Sequence, residues 1–174
     1  MALEPTTEHN LKQRIDLRDP AALVATWFGA GLLPSAPGTW GSLAALPFAW
    51  VIQAFGGPIA LAIAVVIVFF LGLWATDRMI SGSPDSDPGY IVVDEVAGQW
   101  LVLVFVPTDT IVHAAGLYAA GFMVFRLADI LKPWPVCWAD RAIKGAFGVM
   151  FDDILAAVYA SAVLAAIAWW FGGM

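Results

Sequence analysis

An integral membrane bundle of about five α-helices, with a short N-terminal surface helix before it, is the fold this sequence predicts. Three observations carry that expectation. The 174 residues are 61% hydrophobic and only 13% charged, with a mean hydropathy of +0.81, whereas a soluble domain is about half apolar and about a quarter charged. Apolar segments recur along the chain, most of them near the length that a hydrocarbon core requires. Placing the N-terminus in the cytoplasm puts every Lys and Arg on the inner side or at an inner helix end, the bias expected of a membrane protein. The nine Trp agree, because indole rings favour the headgroup interface.

The elements follow in order. Residues 1–20 are polar and charged and lack the apolar stretch and cleavage site of a secretory signal; they read as a cytoplasmic segment, and 21–174 as the membrane-embedded domain. Asp19-Pro20 is a helix start, with Asp as cap and Pro in the first turn. Residues 21–28 are apolar but too short to span. A Gly, Pro, Ser and Thr-rich loop covers 29–41. The first span, 42–55, is the weakest, since Pro47 can bend it or turn it back. Gly56-Gly57-Pro58 is a tight turn. Spans are then expected at 59–75, 91–106, 110–128 and 154–171, separated by polar loops at 77–90 and 130–151 and a turn at Pro107. The acidic residues also gather on the inner side, apart from Asp109.

Composition excludes several chemistries. A net charge of −6 without a basic face argues against nucleic-acid binding. One cysteine, Cys137, permits neither an intramolecular disulfide nor a four-cysteine zinc site. His9 lies in the tail and His113 toward the outer surface, away from the acidic residues. There is no Gly-x-Ser-x-Gly nucleophile elbow. Carboxylates and basic residues remain.

Asp94 and Glu95 stand inside an apolar run. Burying two adjacent carboxylates requires a cation, a basic partner or water, and intramembrane acids are functional by default. The plain alternative is pairing with Arg78 or Arg126. Asp87-Pro88 reads as the cap and first turn of that helix, placing Asp87 two turns from Asp94 on the same face. Gly98, one turn beyond Asp94, offers a small surface to a neighbouring helix. Arg126, Asp129 and Lys132 are spaced by three, so they share a face; they could serve phosphate, metal and phosphate, or only anchor the helix end. Asp152 and Asp153 open the last span, where one would cap the helix and the other could join a metal site. Asp94, Glu95, Asp129, Asp152 and Asp153 supply more hard oxygen ligands than magnesium usually takes from protein. Gly38, Thr39 and Ser42, at a helix start, offer amides and hydroxyls to a phosphate, although no Walker motif closes the loop. Such a set suits metal-assisted hydrolysis, in which a cation activates water and screens phosphate charge.

Four stretches taken together resemble the phosphatidylglycerophosphatase A family: Leu33-Pro34-Ser35-Ala36-Pro37-Gly38-Thr39-Trp40-Gly41-Ser42-Leu43, residues 87–101, residues 125–135, and Met150-Phe151-Asp152-Asp153-Ile154-Leu155-Ala156. They occur in the family's order and cover most of the chain from about residue 21. Ala128 stands where members often have Phe. The resemblance implies a multi-pass, Mg2+-dependent phosphatase of the bacterial inner membrane, with its site facing the cytoplasm. It would convert phosphatidylglycerophosphate, its phospholipid substrate, to phosphatidylglycerol and phosphate.

The expectation is therefore a metal held by Asp94, Glu95 and Asp129, supported by Asp152 or Asp153. Arg126 and Lys132 would hold phosphate oxygens, and Gly38, Thr39 and Ser42 phosphate or glycerol. A phosphatidyltransferase would need a run of spaced aspartates that is missing. A transporter using Asp94 as relay would need ionisable groups reaching both faces. A scaffold gives no reason for so many acids on one face.

Overall fold

The computed structural model describes residues 15–81, 87–106 and 111–172, so the expectations for residues 1–14, including the surface helix and His9, and for the turn containing Asp109 lie outside the described residues. The described chain is all helical, without strands. Its elements are α1 (Pro20–Ala25), a 3-10 turn (Ala30–Leu32), α2 (Pro37–Ile80), α3 (Val93–Val104), α4 (Ile111–Leu131), α5 (Val136–Ala142) and α6 (Gly145–Gly172).

Helix α1 begins as its sequence demands. The Asp19 carboxylate accepts a hydrogen bond from the Ala21 amide, and Pro20 occupies the first turn, where its missing N–H is harmless. One face of the helix, Ala21, Ala22 and Ala25, is buried against the rest of the protein.

Helix α2 is two arms rather than one rod. Gly57 has φ 70 and ψ −174, a conformation essentially confined to glycine, and Pro58 follows. A Cβ on Gly41 would lie 2.6 Å from Val92, and a Cβ on Gly72 would lie 3.3 Å from Val93. Val92 and Val93 are chain neighbours. In a straight helix Gly41 and Gly72 would be about 46 Å apart. The arms therefore fold back on each other, with their free ends together and Gly57 at the far tip. Each arm buries a helical stripe: Gly41, Ser42, Ala45 and Ala49 on the first; Leu61, Val65, Val68 and Gly72 on the second. Pro47 does not interrupt the first arm, whose helix starts at Pro37 rather than residue 42.

Helix α3 is the axis of the molecule. Nine of its 12 residues are buried, packed by α2, α4 and α6. At about 18 Å it is shorter than a hydrocarbon core, and shorter than the span expected over 91–106. Asp87-Pro88 does not cap it. That pair lies in a turn, where the Ile91 amide donates to Pro88 O (2.9 Å), and the helix starts five residues later. Asp87 and Asp94 therefore share no helix face. The start is fixed through the backbone: Val92 N–H donates to Ala25 O of α1 at 2.8 Å.

The other end of α3 is satisfied by a neighbouring side chain. Gln53 Nε2 donates to the carbonyls of Leu103 (3.3 Å) and Val106 (3.0 Å), and Tyr118 Oη donates to Gln53 Oε1 (2.6 Å). Carbonyls at a helix C-terminus lack internal partners, and this buried amide supplies one. Trp100 Nε1 ties α3 to the first arm through Ala45 O at 2.9 Å.

Helix α6 begins at Gly145, with Asp152 and Asp153 already two turns inside it. Neither caps the helix, contrary to the first-turn expectation. The expected loop at 130–151 contains α5 and those two turns. Two of the helices, Pro37–Ile80 and Gly145–Ile167, are long and apolar enough to cross a membrane. Large apolar side chains such as Phe55, Ile59, Phe70 and Trp74 are exposed. Apolar surface of that kind is unusual in soluble monomers.

Candidate active site

The site forms where the start of α3 meets the second and third turns of α6 and the end of α4. Asp94 and Glu95 stand in the first turn of α3, at the positive end of its dipole. Asp153 comes from α6. One carboxylate oxygen from each lies within 4.8 Å of the others, a group able to hold a metal ion. Gly98 makes this approach possible: a Cβ there would sit 2.6 Å from the Phe125 ring and 2.9 Å from the backbone oxygen of Asp153. A larger residue would push α6 and its carboxylate away from α3.

Asp94 is only 8% exposed and Asp153 only 3%. Asp94 Oδ1, Glu95 Oε2 and Asp153 Oδ2 find no hydrogen-bond partner among the described residues. Buried carboxylate oxygens left this way are costly, and each needs an explanation. A hard divalent cation is a suitable one, because magnesium and calcium bind oxygen ligands of this kind. The three residues thus fit such an ion by donor type, closeness and unsatisfied valence.

Arg126 is the cationic edge. Its Nη1 lies 2.8 Å from Asp129 Oδ2, 3.8 Å from Glu95 Oε1 and 3.4 Å from Ser42 Oγ. Arg126 and Asp129 share a helix face, as their spacing of three implies, and the ion pair between them is largely buried. Arg78 plays no part: its exposed side chain faces Asp19 at 3.7 Å, a surface pairing of little energetic weight. Gly38 lies directly over this centre, where a Cβ would run into Glu95 Oε1 and approach Arg126 Nη2 to 3.1 Å. The N-terminus of α2 therefore closes the site from above, with Thr39 beside it. Ser42 donates its hydroxyl to Gly38 O at 2.9 Å, so that proton is already engaged within the helix.

Two further expected ligands border the three-carboxylate group. Asp129 lies within hydrogen-bond contact of Asp153 and electrostatic reach of Glu95, and it is also paired with Arg126. Asp152 is taken up by Lys132, whose Nζ donates to Asp152 Oδ2 at 2.6 Å and to Asp140 Oδ1 at 2.5 Å. Burial alone would lower the Lys132 pKa, but these two hydrogen bonds and charges outweigh it and hold the ammonium above its ordinary value. A raised cation pKa stabilises the fold fully below the ordinary value, and that contribution is lost only as pH climbs through the folded value. Lys132 therefore stays charged throughout the neutral range.

Sequence reasoning missed Asp140. It lies in what reads as a polar loop, eight residues from Lys132, and only the turn into α5 brings the two together. It helps line a cavity of about 100 Å³ with Asp87, Lys144 and Asp152. Asp87 acts electrostatically on both Asp94 and Asp152.

A largely apolar, all-helical described chain, with two helices long and apolar enough to cross a membrane and a buried group of acids beside Arg126, defines a class: a helical protein consistent with membrane residence, built around a metal-competent acidic site. The comparisons give the family. A family model described as Phosphatidylglycerophosphatase A matches residues 23–168. A protein of that name from Escherichia coli K12 is 37% identical over 164 residues, covering 94% of this chain and 92% of its own. Its namesake in Haemophilus influenzae is also 37% identical over 164 residues, covering 94% and 98%. A Bacteroides thetaiotaomicron protein, provisionally named a phosphatidylinositol-3-phosphatase, is 39% identical over 153 residues, covering 85% and 92%. No solved structure is significantly similar. The chain belongs to the phosphatidylglycerophosphatase A family, and with it to the phosphatases.

Proposed function

We propose that this protein removes the terminal phosphate of phosphatidylglycerophosphate, leaving phosphatidylglycerol, with Mg2+ as cofactor. The observation that carries this is the set of three buried carboxylate oxygens without partners beside Arg126, in a chain of this family. Hydrolysis breaks the P–O bond to the headgroup glycerol. Water oxygen is transferred to phosphorus, and a proton to the departing glycerol oxygen.

Asp94, Glu95 and Asp153 are the residues that would hold the ion, with Asp129 and Asp152 behind them. The ion would activate water and screen phosphate charge. Arg126, drawn between Asp129 and Glu95, presents its guanidinium edge to phosphate oxygens and stabilises the charge that grows on them in the transition state. The Gly38 amide and the Thr39 hydroxyl add donors at the N-terminus of α2, a setting suited to phosphate; the Thr39 amide itself is spent on Ala36 O at 3.0 Å. Ser42 orients Arg126 rather than the substrate. Lys132 adds positive charge at the rim.

The reading includes orientation. Both arms of α2, with α3, α4 and α6, supply five crossings of a bacterial inner membrane. Helix α3, too short to span by itself, is enclosed by protein, where irregular flanking backbone is tolerated. The described Lys and Arg residues lie at the bundle end where the free ends of α2 meet the start of α3. That end faces the cytoplasm under the positive-inside rule.

The test is phosphate release from short-chain phosphatidylglycerophosphate by the detergent-purified protein, with and without Mg2+, and with phosphatidylinositol-3-phosphate as rival substrate. Turnover should require the ion and favour the glycerol headgroup. Asp94→Asn should lower turnover at least ~10³-fold with the fold intact, because electrostatic groups at a reacting phosphate carry much of the rate. Chelator-insensitive turnover, or an active Asp94→Asn protein, would refute the assignment.

A further inference from the structure

Lys132 is set in place by groups outside the acidic centre. It follows the last residue of α4 with φ 44, a left-handed conformation that costs energy in a non-glycine residue and persists only when its surroundings impose it. Its amide closes the helix on Ala128 O at 2.9 Å. From there the side chain reaches two carboxylates on different elements: Asp140 of α5 and Asp152 of α6. An ammonium has three N–H donors. Two are committed, and the side chain retains 28% exposure, which leaves the third for an incoming group. Asp140 lines the 100 Å³ cavity together with Asp152, whose chain neighbour is Asp153 of the acidic centre.

We propose that Asp140 is a positioning residue of the reaction: with Asp152 it clamps the Lys132 ammonium so that the free N–H meets a phosphate oxygen of the substrate. This rests on the functional reading above. The clamp explains why a lysine should be held by two acids in a site for an anionic lipid. One carboxylate would tether the ammonium but let it swing. Two, on separate helices, fix its position and leave one donor direction. It also assigns a task to α5, a helix too short to help span a membrane.

The test uses the full chain in detergent and the same phosphate-release assay. Asp140→Asn keeps an acceptor but loses the charge, and Asp140→Ala loses both. A hydrogen bond to a charged group corresponds to roughly ten- to a hundredfold in a rate or binding constant. Asp140→Ala should therefore lose about that much kcat/KM, and Asp140→Asn less, with unchanged melting temperature and unchanged Mg2+ activation constant. The decisive arm is rescue. Methylammonium added to Lys132→Ala should restore part of the activity by entering the seat between the two carboxylates. It should fail in Lys132→Ala/Asp140→Ala.

Rescue that survives loss of Asp140, no rescue at all, or normal kcat/KM in Asp140→Ala would each overturn the proposal. If Lys132→Ala does not fold, the Asp140 variants alone decide it. Wild-type turnover in the same assay tests the functional reading separately: an inactive wild type refutes that reading, whereas an active wild type with unimpaired Asp140 variants refutes only the clamp.

Discussion

At the scale of single residues, glycines decide how close the charged groups come. Gly38 has no Cβ, and the space one would need holds Glu95 Oε1 and the Arg126 guanidinium. The obstructing atom is the end of a flexible side chain, so Gly38→Ala can be accommodated by moving the Glu95 carboxylate rather than the helices. Stability should change little. Turnover should fall about a hundredfold, because displacing a reacting group by about an ångström has that effect. Thermal melting and phosphate release on the same preparation would check both parts, and normal turnover would mean that Glu95 need not stay where the structure places it. Gly98 differs, because its neighbours are a buried ring and the Asp153 backbone. Its small size serves the approach of two helices.

At the scale of elements, the α2 hairpin turns on one residue. A side chain at Gly57 would meet nothing within 4 Å, so any penalty for Gly57→Ala is purely conformational. With φ 70 and ψ −174 the penalty should be about 1–3 kcal/mol, read from denaturant unfolding in micelles. Activity of the folded fraction should persist, since the turn lies at the opposite end of the bundle from the acids. Unchanged stability would show that the tip relaxes into another turn. At that same end, Gln53 and Tyr118 close the C-terminus of α3. The short central helix is therefore held at both ends by tertiary partners: Ala25 O at its start and Gln53 at its finish.

At the scale of the whole molecule, the claim is one of sidedness. The acids, Arg126 and Lys132 share the end where the free ends of α2 meet the start of α3. Arg141 on α5 is exposed there. Cys137 is the chain's single cysteine, so Arg141→Cys in a Cys137→Ser background provides a single thiol. A membrane-impermeant maleimide should label it in inverted inner-membrane vesicles and not in intact spheroplasts. Labelling from the outside would reverse the orientation and remove the site from the cytoplasmic leaflet.

The sequence by itself determined the features set by local composition. Hydropathy marked the apolar helices, Asp19-Pro20 marked the start of α1, and Gly56-Gly57-Pro58 marked a turn. The i,i+3 spacing put Arg126 beside Asp129, and the isolated acids in apolar surroundings exposed Asp94 and Glu95 as the place to look. Each of these depends on neighbours within a few residues. Tertiary structure alone decided which carboxylates meet. Asp153 joins Asp94 and Glu95 with Asp129 alongside it, Asp152 turns to Lys132, Asp87 leaves the helix it was expected to cap, and Asp140 enters. The reason is that a side chain's partner depends on where helices cross and which small residues let them approach. That relation links residues on different helices, from Lys132 and Asp140 eight positions apart to Asp94 and Asp153 on α3 and α6, and no local pattern encodes it.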